Sequence, residues 1–221
     1  MALAPVVTMK KDEIVWLSRH KCEHGHSFLS HYQCYLRENP LKEKIGYFDI
    51  EASNLNANFG IIFTYCIKTG GKDEILERTV TKKELSTCLD KKVVEQCVKD
   101  LQKYDKIIGY YSARFDIPYV RSRALYNGLD FPAYGEIIHE DLYDNIKRKF
   151  RLNSNRLETA CRFLLGHSDK THLNSDYWIK ALQGDKESLD YIVDHCRKDV
   201  IDLEKLHKRV EIFKKKSHTS A

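Results

Sequence analysis

Asp49-Ile50-Glu51 sets two carboxylates two positions apart at the end of an otherwise apolar run, residues 45–50. On a β-strand that spacing projects both side chains from one face. Like charges held there repel and lose solvation unless a proton or a hard divalent cation resolves the conflict. A further acid, Asp116, stands after a second apolar run and just before Pro118, where it can serve the same cation or stabilise the first turn of a helix. A third group, His195-Cys196-Arg197-Lys198-Asp199, places an imidazole and a carboxylate one helical turn apart. The apolar stripe Leu189, Ile192, Val193, Cys196, Val200 and Leu203 puts that pair at the border of a buried face. Each pattern also has an ordinary structural use: a solvated strand end, a helix cap, a surface ion pair. Their common chemistry is the binding of a divalent metal.

A separate set of softer ligands lies upstream. Cys22-x3-His26-x4-His31-x2-Cys34 offers four nitrogen and sulfur donors within 13 residues, the number and softness that a tetrahedral Zn²⁺ needs, with His24 as an alternative to His26. The competing reading is an unmetallated loop rich in histidine. The seven cysteines are odd in number and scattered among apolar residues, which suits reduced thiols better than a disulfide framework.

The elements that must hold these groups follow from periodicity. Residues 1–44 carry the Cys/His cluster and no sustained period of 2 or 3.6, and read as a small separate module. From Lys44 three strand-like runs, 45–51, 61–68 and 75–81, suggest an antiparallel meander. A helical stripe at 93–104 followed by a buried strand at 106–111 implies a parallel crossover. A short strand at 136–139 and helices at 117–126, 141–150, 157–165, 177–182 and 185–214 complete an α/β chain with helices around a mixed sheet. Residues 45–214 are the main domain, and 215–221 read as a frayed basic tail.

Length and charge set the outer bounds. A chain of 221 residues is ample for one domain with an appendage. With 31% charged residues, it has no apolar run near the ~18 residues of a membrane span. The N-terminus lacks the basic and apolar regions of a secretory leader, so the expected location is cytoplasmic. A net charge of +5 is mild and shifts the odds toward a polyanionic partner only slightly.

Taken in order, Asp49-Ile50-Glu51, the segment Gly109-Tyr110-Tyr111-Ser112-Ala113-Arg114-Phe115-Asp116, and His195 to Val200 resemble the three motifs of the DEDD superfamily of 3′-5′ exonucleases. The second motif is most similar to that of the exonuclease domains of family B DNA polymerases and related free-standing nucleases. The resemblance spans about residues 45–213. It implies a ribonuclease H-like fold, and a metal-dependent nuclease acting on single-stranded nucleic acid or a 3′ end, DNA or RNA. It further implies two Mg²⁺ or Mn²⁺ ions, one held by Asp49, Glu51 and Asp199 and one by Asp49 and Asp116. Two departures stand out. His195 occupies the register where this branch carries a tyrosine, and is the candidate for orienting or deprotonating the attacking water. Tyr111 stands where the motif usually has asparagine. Leu55 is placed to wedge a terminal base, Phe59, Tyr110 or Tyr111 to stack, and Arg114, Arg121, Arg123 or the cluster Lys147, Arg148, Lys149 and Arg151 to follow the backbone. Asp141 is expected to act behind the ligands or as a helix cap. A structure-selective endonuclease and a non-catalytic binding module are the alternatives.

Overall fold

The computed structural model describes residues 11–39, 43–168 and 174–213. The chain divides into two compact units, Met1–Glu43 and Lys44–Ala221, a boundary one residue before the expected one. The tail at 215–221 lies outside the described residues.

The first unit has more regular structure than its sequence suggests: helices α1 (Lys11–Arg19) and α2 (Tyr32–Glu38). Both are too short for a 3.6-residue period to repeat convincingly. Between them a bridge pairs Lys21 with Ser27 around a tight turn. The Cys22 amide donates to the His26 carbonyl and the Gly25 amide to the Cys22 carbonyl, each at 2.9 Å. Gly25 takes φ +79°, which a side chain would resist. Leu17, Cys22, Phe28, Cys34, Tyr35 and Leu36 form a core of this unit's own.

The second unit begins with β1 (Ile45–Ala52), β2 (Ile62–Thr69) and β3 (Ile75–Thr79), then α3 (Lys82–Thr87), α4 (Lys91–Leu101), β4 (Lys106–Gly109) and α5 (Asp116–Tyr126). β5 (Ile138–Asp141), α6 (Leu142–Lys149), α7 (Leu157–Leu165), α8 (Ser175–Leu182) and α9 (Lys186–Val210) follow, with a 3₁₀ turn at Glu211–Phe213. The sheet order is β3-β2-β1-β4-β5. β1, β2 and β3 pair antiparallel, and β4 and β5 add parallel to β1, the mixed α/β sheet expected. Helix α3 was not anticipated, although its signature is local. Thr81 and Glu84 form a reciprocal capping box, each side chain accepting the other's amide.

β1 separates two cores. Its residues Phe48 and Ile50 join Tyr65, Ile67, Val94, Val98 and Val120 on one face of the sheet. Tyr47 joins Cys66, Ile108, Cys196 and Val200 on the other, against α9. Full burial of each large apolar side chain contributes about 1.5–3 kcal/mol, so the alternation of β1 is strongly enforced. That alternation puts Asp49 and Glu51 in line with Tyr47, on the α9 face.

Arg123 does not reach toward a polyanion. It is 4% exposed, and its Nε and Nη2 hold both oxygens of fully buried Asp90 at 2.8 and 2.7 Å. Asp90 also accepts the Ile62 amide at 2.9 Å, so this bidentate pair ties α5 to β2. Arg121 lies over the Phe131 ring at 5.3 Å.

Candidate metal and nucleic-acid site

Asp49 and Glu51 reach the C-terminal end of β1, the central strand, beside the point where antiparallel pairing gives way to parallel. Crevices at the carboxyl ends of strands beside such a switch are favoured ligand sites. Cys196 of α9 packs below them. Burial pushes its thiol well above the ordinary range, and the protonated sulfur donates to the Asp49 carbonyl at 3.4 Å. This contact lies within the apolar packing of Val193, Cys196 and Val200 against Tyr47 and Cys66, which brings the adjacent His195 to Glu51. His195 Nε2 stands 3.6 Å from Glu51 Oε1 and 3.8 Å from Asp199 Oδ2. The three side chains are 2%, 15% and 9% exposed. Trp178 of α8 meets the His195 ring edge-on with centroids 6.3 Å apart, and its Nε1–H donates to the Ala52 carbonyl at 3.1 Å.

Asp116 is not a helix cap. α5 starts at Asp116 itself, and the side chain turns toward β1, where Oδ1 accepts the Ile50 amide at 3.0 Å. β4 pairs with β1 only as far as Tyr47, leaving the Ile50 amide beyond the ladder for this carboxylate. Burial raises the Asp116 carboxyl from its ordinary 3.8 to about 7; the Ile50 amide and its own amide oppose the rise, and the charges of Asp141 and Asp199 add to it. A carboxyl in that state is one that a cation would ionise.

The loop between β4 and α5 is tightly held. A Cβ on Gly109 would lie 2.1 Å from Ser112 Oγ. Fully buried Ser112 shares a 2.8 Å hydrogen bond with His139 Nε2. Tyr111 has φ +63°, a region costly for most side chains and mild for asparagine. Asp141 fastens this loop by accepting the Tyr111 and Ala113 amides at 2.8 and 3.0 Å, and it also caps α6 through the Tyr143 amide at 3.1 Å. The expected strand at 106–111 therefore stops at Gly109, and the expected strand at 136–139 runs from Ile138 to Asp141.

Asp49, Glu51, Asp116, His195 and Asp199 all line one cleft of about 220 Å³, with Tyr110, Tyr111 and Phe115. It shares Asp49, Tyr110, Tyr111 and Asp199 with a larger groove of about 670 Å³ that continues along Tyr143, Asn155, Arg156 and Leu157. Of the expected substrate contacts, Tyr111 lines this cleft at 45% exposure, edge-on to Tyr143 at 4.9 Å. Leu55 and Phe59, 82% and 80% exposed, are on the loop that leaves β1 and do not line the cleft. Arg114 spans Tyr111 and Asp144, with Nη2 3.0 Å from the Asp144 carboxylate. Lys147, Arg148 and Lys149 stand on the exposed side of α6. Trp178, Tyr143, Asn155 and Arg156 were not singled out by sequence; each is remote from the acidic motifs and has no local signature.

In the first unit, the cluster forms around His24, not His26. One donor atom from each of Cys22, His24, His31 and Cys34 lies within 4.8 Å of the others. His24 Nδ1 is 3.8 Å from Cys22 Sγ and 3.5 Å from Cys34 Sγ, and His31 Nδ1 is 3.9 Å from Cys22 Sγ. Tetrahedral zinc with Zn–S near 2.3 Å and Zn–N near 2.05 Å requires donor separations of about 3.3–3.8 Å, and the sulfur–nitrogen distances here are within a few tenths of an ångström of that, so these residues fit the ion. His26 instead uses its carbonyl to close the turn and packs its ring on His31 at 4.1 Å. Burial acts to raise the Cys22 thiol, but the His24 amide and ring, the His26 amide and the neighbouring Cys34 hold it below the ordinary range. Cys34 is pushed up by burial and by Cys22.

No curated protein matches the sequence. Among solved structures, the family B DNA polymerase of the hyperthermophilic archaeon Pyrobaculum calidifontis is similar at a TM-score of 0.61 and 19% identity. The likeness covers 77% of this chain and 25% of that one, so the chain spans about a quarter of the polymerase's length. The sequence profile of the RNase H superfamily matches residues 46–211, most of the second unit, from the start of β1 through the end of α9. With the mixed five-stranded sheet in the order 3-2-1-4-5, this match establishes that the chain belongs to the RNase H superfamily.

Proposed function

We propose that the protein is a metal-dependent nuclease that hydrolyses phosphodiester bonds, a DEDD-type 3′-5′ exonuclease acting on single-stranded nucleic acid. The observation that carries this reading is the convergence of Asp49, Glu51, Asp116 and Asp199, from three separate segments, on one cleft with His195. A module that only bound a polyanion would gain nothing from four carboxylates at the contact. The order of the motifs and the likeness to a family B polymerase support the exonuclease direction.

Asp49, Glu51 and Asp199 would hold one divalent ion, and Asp116 with Asp49 a second. Bound there, such ions supply Lewis acidity at phosphorus and neutralise the charge that develops on the attacking and leaving oxygens. The protein's own contribution is positioning. Asp141 fixes the backbone of the Tyr111 loop, the packing around Cys196 holds α9 on β1, and the Ile50 amide fixes Asp116. Tyr111 and Tyr143 offer aromatic faces beside the cleft, where a base can stack with little regard to its identity. Arg156 supplies positive charge along the adjoining groove.

The first unit would be a zinc-bound appendage. No helix among the described residues is long and apolar enough to cross a membrane. The seven cysteines form no disulfide, which suits the reducing cytoplasm we propose for it.

The test is incubation of 5′- and 3′-labelled single- and double-stranded DNA and RNA with Mg²⁺ or Mn²⁺. Stepwise shortening from the 3′ end, lost in Asp49→Ala by at least ~10³-fold, is expected. Internal cuts would select the endonuclease, and no cleavage under any condition would leave only the binding module.

A further inference from the structure

The motif resemblance makes His195 a base for the attacking water, in place of a tyrosine. Its position fits another role. The ring is 2% exposed, and Nε2 sits between two carboxylate oxygens, Glu51 Oε1 at 3.6 Å and Asp199 Oδ2 at 3.8 Å. One donor atom from each of the three lies within 4.8 Å of the others. An ion about 2.1 Å from each ligand requires donor separations near 3.4 Å in tetrahedral geometry and near 3.0 Å in octahedral geometry. The two distances from His195 Nε2 are within a few tenths of an ångström of the first. Trp178 meets the ring edge-on and is itself tied to Ala52, which holds the imidazole in place with Nε2 toward the two carboxylates.

We propose that His195 is a direct metal ligand through Nε2, so that Glu51, His195 and Asp199 form a two-carboxylate, one-imidazole site that prefers a transition ion such as Mn²⁺, Co²⁺ or Zn²⁺ to Mg²⁺. The physical ground is ligand type. Mg²⁺ favours all-oxygen surroundings and keeps its waters, whereas first-row transition ions gain from a nitrogen donor. Four carboxylates alone would serve either kind of ion; the imidazole is what discriminates. The inference rests on the nuclease reading above, because it specifies which ion that same cleft holds.

The test uses the full chain with Zn²⁺ already loaded at the cysteine site, so that His24 and His31 are occupied by a spin-silent ion. Mn²⁺ is then added and read by electron spin echo envelope modulation. Wild type should show the ¹⁴N coupling of one directly bound imidazole, and His195→Gln should lose it while its thermal melt stays cooperative. By titration calorimetry, His195→Gln should weaken Mn²⁺ by at least 10-fold and Mg²⁺ by less than 3-fold. Mn²⁺ binding in wild type without nitrogen coupling, or equal losses for the two ions, overturns the ligand assignment and leaves the nuclease reading intact. Failure of both ions to bind overturns the two together. The wild-type spectrum decides the question even if the variant does not fold.

Discussion

Asp116→Asn should make the metal-free protein more stable at pH 8 while removing its metal-dependent activity. The carboxyl is 3% exposed and titrates near 7 where an ordinary aspartate titrates at 3.8. An acid whose folded pKa lies above its unfolded one holds its proton more tightly in the fold. Its contribution to stability is therefore complete below about pH 4, declines as pH rises, and is gone above about pH 7. A difference of roughly three units at 1.36 kcal/mol each makes the full loss on the order of 4 kcal/mol. Asparagine keeps an oxygen for the Ile50 amide and does not titrate. The stability of Asp116→Asn minus that of wild type should thus rise by about 2–4 kcal/mol between pH 4.5 and pH 8. Urea denaturation of both proteins with a chelator present measures it, and the subtraction cancels other carboxylates whose environment is unchanged. A difference that stays flat across this window, or falls, would refute the claim that the fold stores an unfavourable charge at Asp116. Saturating Mn²⁺ at pH 8 should narrow the gap, because an ion bound only to the folded state offsets the cost in wild type.

Three further outcomes are expected. Arg123→Ala should destabilise the second unit by about 3–5 kcal/mol by stranding buried Asp90, and Asp90→Asn in the same chain should recover part of that; equal losses in the single and double variants would contradict a coupled pair. At Tyr111, φ +63° predicts that Tyr111→Val costs about 2 kcal/mol while Tyr111→Asn stays within about 1 kcal/mol of wild type by thermal melting, and a reversed order would contradict the backbone argument. Purified protein should contain about one equivalent of Zn²⁺, and His24→Ala should weaken its retention against a chelator by on the order of 100-fold while His26→Ala does so far less; the opposite ranking would return the ligand role to His26.

Much of this protein is legible locally. The alternation of β1, the helical stripe of α4 and the long amphipathic face of α9 each repeat over enough residues for burial to impose a period, and the mixed sheet follows from their order. The acids at 49, 51, 116 and 199 are conspicuous because a buried apolar segment has no use of its own for them. What sequence leaves open is whatever depends on long-range contact. Asp116 reads equally as a cap or a ligand until β4 is seen to stop short and leave the Ile50 amide to it. Arg123 and Arg114 look alike on the chain, yet one is sealed against Asp90 and the other is a half-exposed partner of Asp144 beside the cleft. On the chain His26 and His24 both lie within reach of Cys22, but the turn through Gly25, in the left-handed region, leaves His24 with the sulfurs. His195 lies four residues from Asp199 on any helix; only the packing of Cys196 under β1 brings it to Glu51, 144 positions earlier in the chain. Residue type and period set which elements form and which groups are chemically out of place, while tertiary packing decides which of those groups share one site, because a side chain's partners across the fold are fixed by burial and backbone pairing that no local spacing records.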